Sequence, residues 1–124
     1  MAQSLADNAC IPCKGGVPPL TPEQVAPLLA QLDHGWQVEE NRKLVKRFTV
    51  KDFVQAVEFV NRILPIAEAE GHHPDLYVRW GSVTAYLWTH KIDGLTESDF
   101  YLAAKIDRAF SAPRAGPAPA AARP

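Results

Sequence analysis

Three of the chain's four histidines fall in the stretch 72–90: His72 and His73 side by side, then His90. Imidazole titrates near neutral pH and can give or take a proton, so a cluster of imidazoles suits general acid–base chemistry. A lone His-His pair also occurs as surface or packing residues, so the question is whether the chain brings a third imidazole to it. Gly81-Ser82 lies between two alternating apolar runs, and a Gly-led pair there signals a two-residue hairpin loop. With that loop Trp80 faces Val83, Val78 faces Ala85 and Leu76 faces Leu87, which gives one apolar face with Trp80 turned inward. Carried outward, the ladder sets His73 opposite His90, where paired Cβ atoms stand about 5 Å apart. Pro74 has no N–H and frays the ladder at that point.

The elements on either side position these groups. Lys51 to Glu70 reads as a long helix, with Phe53, Ala56, Val57, Val60, Ile63, Leu64 and Ala67 recurring at helical steps. Pro65 should kink it, and Gly71 suits the position just past its end. His72 then lies at a helix C-terminus, where the carbonyl ends favour a cation. Glu68, one turn earlier, shares its face and either orients the imidazole or stands as a solvated helix residue. Further on, Thr96 caps a last helix and Asp99 reaches back to it in a capping-box variant, a structural role. Leu95 and Phe100 form a staple across that cap, and Leu102, Ala103, Ile106 and Phe110 continue its apolar stripe.

The first part of the chain supplies the remaining elements. Thr21-Pro22-Glu23-Gln24 is a helix start with a cap, a proline at the first position and a capping box. Leu20 and Val25 form its staple, and Val25, Leu28, Leu29 and Leu32 its stripe. Pro27 should delay the regular helix, and Gly35 should close it. Trp36 to Val38 and Leu44 to Phe48 read as a second hairpin. Its inward residues Trp36, Val38, Leu44 and Phe48 are all even-numbered, so the loop has an odd length; three residues around Asn41 fit, since Asn tolerates positive φ.

The order α-β-β-α-β-β-α implies an α+β fold: a four-stranded antiparallel sheet with three helices on one face. Tyr77, Arg79, Thr84, Tyr86 and Trp88 are left on the other face, which self-association or the start of the chain should partly cover. Residues 1–19 read as a flexible N-terminal arm, 20–110 as the folded domain and 111–124 as a disordered Pro/Ala-rich tail. Cys10 and Cys13 in the arm form a CxxC pair; no second pair follows to complete a zinc site, so two reduced thiols or a reversible disulfide are the readings.

The chain has 47% hydrophobic and 22% charged residues, which points to a soluble globular domain. A formal net charge of -1 gives no footprint for direct nucleic-acid binding. No run is long and apolar enough for a membrane span, and no export signal is visible, so a cytoplasmic location is the expectation.

Glu68, three spacers, His72-His73-Pro74, five spacers, Trp80, nine spacers, His90, a short gap and Asp99 resemble the signature of the pterin-4a-carbinolamine dehydratase family. The likeness in element order extends from about Thr21 to Phe110. The resemblance implies a saddle-like sheet, a homodimer or homotetramer, and no cofactor or metal. It implies dehydration of 4a-hydroxytetrahydrobiopterin to quinonoid dihydrobiopterin, in the recycling of tetrahydrobiopterin. By resemblance, His72 and His90 are the acid–base pair, His73 binds the hydroxyl or the pterin edge and shares in proton transfer, and Glu68 tunes His72. Asp75 and Thr89 are rim contacts, and Tyr77 is a substrate-binding candidate. Members of the animal branch often carry an aromatic two residues after the proline, where this chain has Leu76 followed by Tyr77. The alternative reading is a non-catalytic binding or assembly protein with a protein client, of the Rubisco assembly factor or transcription-factor dimerisation cofactor type.

Overall fold

The computed structural model describes residues 5–10 and 17–112. Its elements are α1 (Pro22–Leu29), β1 (Gln37–Glu39), β2 (Lys43–Thr49), α2 (Phe53–Glu70), β3 (Asp75–Arg79), β4 (Ser82–Leu87) and α3 (Glu97–Ser111), with short 3-10 turns at Leu5–Asp7 and His90–Ile92. The strands form one antiparallel sheet in the order β1-β2-β4-β3. Leu44, Phe48, Val83, Ala85 and Leu87 are essentially inaccessible on the sheet's inner face, and Ala56, Phe59 and Ile63 of α2 and Leu102, Ala103 and Ile106 of α3 complete the core with them. The architecture is the α+β fold expected from the element order. Among the described residues, no helix is long and apolar enough to cross a membrane.

The first hairpin follows the parity argument. Val38 pairs with Leu44 and Glu39 with Lys43, which leaves three loop residues. Glu40 and Asn41 take φ of 52° and 53°, and the Asn41 side chain donates to the Leu20 carbonyl at 3.0 Å.

The second hairpin keeps its faces but shifts its register. Its loop is Trp80-Gly81, with Arg79 paired to Ser82, Val78 to Val83 and Leu76 to Ala85. Gly81 takes φ +87° at the second loop position, a conformation that an L side chain resists. Its carbonyl accepts from the Val50 amide at 3.0 Å. The partner of each strand residue moves by two, an even shift, so the apolar face is preserved. Trp80, expected inward, is instead 73% exposed at the loop tip. The ladder stops at Asp75–Tyr86, so the expected pairing of His73 with His90 does not form. His90 starts the 3-10 turn beyond β4 instead.

The helices differ from expectation mainly at their ends and in their buried faces. α1 has the expected Thr21–Gln24 capping box and Pro22 near its start. It runs through Pro27 without delay and stops at Leu29 rather than at Gly35, because three-residue steps from Gln31 and Leu32 take over its last carbonyls. α2 begins at Phe53 rather than Lys51, since the Asp52 side chain accepts from the Gln55 amide at 2.9 Å and caps it. It continues unbroken through Pro65 to Gly71, a left-handed cap at φ 64°. Its buried line is Ala56, Phe59, Ile63 and Ala67, and Phe53, Val54, Val57 and Leu64 are left exposed. The choice follows from Phe59, whose ring packs 4.8 Å from Phe48 of β2.

Part of the expected arm is built into the domain. Leu5 and Ala6 are buried, the Ala6 carbonyl accepts from Lys105 of α3 at 2.7 Å, and the Cys10 amide donates to Glu70 at 2.7 Å. These residues therefore lie along the helices and do not cover the open sheet face. Cys13 and the tail from residue 113 lie outside the described residues.

Candidate active site

The site is assembled where the end of α2 meets the start of α3. After α2, Gly71 turns the chain, and the His72 amide still bonds back to the Ala67 carbonyl at 3.3 Å. That geometry fixes the direction in which the imidazole leaves the helix. The His72 Nε2 lies 2.6 Å from Asp99 Oδ1. Asp99 is in the first turn of α3 and fully buried. Its other oxygen accepts from the Thr89 hydroxyl and from the Thr96 amide, each at 2.9 Å. The Thr89 and Thr96 hydroxyls also bond one another at 3.0 Å. A carboxylate surrounded by donors can only accept, so His72 Nε2 carries hydrogen and Nδ1 is the nitrogen left for proton transfer.

A second pair stands beside the first. His73 Nε2 lies 2.8 Å from Glu68 Oε2, with both side chains more than half exposed. Glu68 was expected to tune His72; it partners His73 instead, because the turn at Gly71 hands His72 to Asp99. The third imidazole is held by an aromatic contact. His90 stacks on Trp88 with centroids 4.3 Å apart and planes at 37°, and the Lys43 ammonium lies 4.3 Å from the same indole ring. Thr89, between Trp88 and His90, is the residue that bonds Asp99. One buried carboxylate thus ties together the chain segments that carry all three histidines.

The other expected contacts divide. Thr89 is 3% exposed with its hydroxyl committed to Asp99, so it orients that carboxylate and is not a rim group. Asp75 is exposed at the start of β3, next to the histidine turn. Tyr77 is 57% exposed on the outer sheet face, where Arg79 lies 5.9 Å from its ring. Leu76 faces the core, as the strand alternation predicts. Among the described residues, no group of three His, Cys, Asp or Glu side chains could hold a metal ion.

Residues 18–109 match the family model described as pterin 4 alpha carbinolamine dehydratase. The chain belongs to this family. Among its relatives within the pterin dehydratase family is a Rickettsia bellii protein, provisionally named pterin-4-alpha-carbinolamine dehydratase. It is 55% identical over 104 residues, covering 84% of this chain and 92% of its own. A Rubrobacter xylanophilus protein with the same provisional name is 50% identical over 104 residues, covering 84% and 96%. A Brucella melitensis crystal structure titled transcriptional coactivator/pterin dehydratase superposes with a TM-score of 0.70 at 32% identity, over 75% of this chain and 99% of that one. A pterin dehydratase-like protein described as a RuBisCO assembly factor of the alpha-carboxysome reaches a TM-score of 0.55 at 22% identity, over 64% and 94%, a likeness of fold alone.

In the sequence Asp99 reads as a capping residue only. The structure gives it that role and the His72 contact as well. Its position as the last fixed residue of the pterin dehydratase signature was the available signal. Lys43 and Trp88 had no such signal, because their contact depends on β2 and β4 being neighbours.

Proposed function

We propose that the chain catalyses dehydration of a 4a-hydroxytetrahydropterin to the quinonoid dihydropterin. The observation that carries this reading is the buried Asp99 carboxylate holding His72, with Thr89 tying the His90 segment to the same carboxylate. In the reaction the C4a–O bond breaks, the hydroxyl leaves as water with an added proton, and N5 loses a proton. His72 and His90 serve as the acid–base groups, with Asp99 facing the imidazolium when His72 takes a proton. His73, oriented by Glu68 and more exposed, binds the hydroxyl or the pterin edge. Asp75 and Tyr77 border the approach. Recycling of tetrahydrobiopterin after an aromatic amino acid hydroxylase is the role this activity would fill.

The decisive experiment follows absorbance as purified protein is mixed with freshly generated 4a-hydroxytetrahydropterin. Acceleration over buffer is expected, and His72→Ala and His90→Ala should each cut the rate by about two orders of magnitude or more. A wild-type rate equal to buffer would remove the enzyme reading and leave a binding or assembly role.

The protein also self-associates on this reading. Phe53, Val57 and Leu64 fall on one line of α2, flanked by Val54, and all are exposed. A second copy laying the same helix against this line would cover it. Light scattering on wild type should give a dimer or tetramer, and Leu64→Glu should reduce its mass.

A further inference from the structure

Residues 5–10 run along α3, with Ala6 and Asp7 bonded to Lys105 and Arg108 in its later half, and reach at Cys10 the two helix ends that carry the His72–Asp99 pair. The Glu70 carboxylate, the last residue of α2, accepts from the Cys10 amide at 2.7 Å through one oxygen. Its other oxygen faces the Lys105 ammonium of α3 at 3.7 Å. Lys105 in turn donates to the Ala6 carbonyl at 2.7 Å. The Cys10 thiol lies 3.5 Å from the Ser98 carbonyl, to which it donates. Leu5 and Ala6, at the start of this strap, are buried. His72 follows Glu70 by two residues, across the Gly71 turn, and Asp99 follows Ser98 directly. The strap therefore grips the last residue before the one turn and the residue next to the other partner.

Resting on the dehydratase reading, we propose that Glu70, Lys105 and the segment from Leu5 to Cys10 are positioning residues for the His72–Asp99 pair. Glu70 is followed at once by the left-handed Gly71, where the regular helical ladder ends, so beyond that turn the backbone holds His72 to the helix only by its long 3.3 Å bond to the Ala67 carbonyl. Without a tether, that turn can pivot about Gly71 and lengthen the imidazole–carboxylate contact. The Cys10 amide holds the Glu70 carboxyl below the usual carboxylate range, with the Lys105 cation acting in the same direction. The Glu70 carboxylate is thus ionised throughout the neutral range. A misplacement of about 1 Å at a proton-transfer group can lower a rate by up to a hundredfold, so a distant ion pair has room to act.

The test uses the full-length chain with Glu70→Gln and Lys105→Met, each made alone and in an Asp99→Asn background. Dehydration kinetics should show kcat falling about tenfold for each strap variant with KM unchanged. No further fall is expected in the Asp99→Asn background, because the strap acts through that pair. Lys105→Arg should keep the wild-type rate. Equal losses in both backgrounds would mean general loosening and would overturn the assignment. A second readout does not need activity: the hydrogen-bonded Nε2–H proton of His72 in the NMR spectrum, identified by its loss in His72→Gln. It should broaden or vanish in Glu70→Gln and persist in Lys105→Arg. An unchanged resonance in Glu70→Gln would overturn the strap's role even if the wild type proved inactive, an outcome that would remove only the dehydratase reading.

Discussion

His72 Nε2 stands 2.6 Å from Oδ1 of Asp99, a carboxylate with no accessible surface. Because Thr89 and Thr96 hold the other oxygen, the carboxylate cannot turn, and the imidazole is fixed in both orientation and tautomer. Asp99→Asn keeps the shape but presents an amide that can offer hydrogen where an acceptor is needed. Dehydration should slow by about a hundredfold or more, mostly in kcat. Thermal unfolding should also report a loss of about 1–3 kcal/mol, since buried donors lose their charged acceptor.

The neighbouring pair is expected to matter less. Glu68 and His73 are more than half exposed, and exposed pairs contribute little to stability. Glu68→Gln should leave the melting temperature nearly unchanged and lower the rate by less than about tenfold. Kinetics and calorimetry on the two carboxylate variants, made side by side, would check the ranking. A larger rate loss in Glu68→Gln than in Asp99→Asn would reverse the assignment of the two pairs.

Cys10 should be chemically quiet. Burial pushes its thiol up to about 12, and the nearby Glu70 carboxylate adds to the effect. The thiolate is the reactive form, so at neutral pH almost none is present. In a Cys13→Ser background, iodoacetamide at pH 8 should label Cys10 slowly in the native protein and rapidly in denaturant, as read by mass spectrometry.

Glu70 gives a pH signature of stability. Its carboxyl is lowered from an ordinary value of 4.5, chiefly by the Cys10 amide. A lowered folded-state value means the unfolded chain binds the proton first, so stability is lost as pH falls. The stabilising effect is complete above the ordinary value and disappears below the folded-state one. The difference in unfolding free energy between wild type and Glu70→Gln should therefore be constant near neutrality and shrink through the acid range. Asp107 has the opposite sign: burial raises its carboxyl, despite bonds at 2.8 Å from both Trp36 and Lys46. Its contribution is greatest in acid and declines as pH rises through its titration; because Asp107 is present in both wild type and Glu70→Gln, it cancels in their difference, which reports Glu70 alone.

Much of this geometry was legible locally. The Thr21 and Thr96 caps, the Gly71 stop and the three-residue loop at Asn41 are each set by residues within a few positions. What the sequence left open depends on long-range partners. Asp99 was readable as a helix-capping residue from its own neighbours, but its contact with His72 requires α2 and α3 to end together. The buried line of α2 offered two apolar faces; Phe59 was chosen because Phe48 lies across from it. The loop at Trp80-Gly81 shows a limit of a different kind, since moving a hairpin pairing by two leaves the side chains that remain in the strands on their original faces, and alternation cannot detect it.

The register itself can be tested at one atom. If Gly81 is the second loop residue at φ +87°, Gly81→Ala must force an L side chain into a left-handed conformation. The added Cβ would meet only the Val50 carbonyl, at an ordinary 3.8 Å, so the penalty is conformational and not steric. A loss of about 1 kcal/mol in chemical denaturation is expected. Trp80→Ser should change stability by no more than about 0.5 kcal/mol, because the indole is 73% exposed. With Gly81-Ser82 as the loop and Trp80 packed inward the ranking would be reversed, since losing a buried indole costs several times more than adding a methyl at the turn.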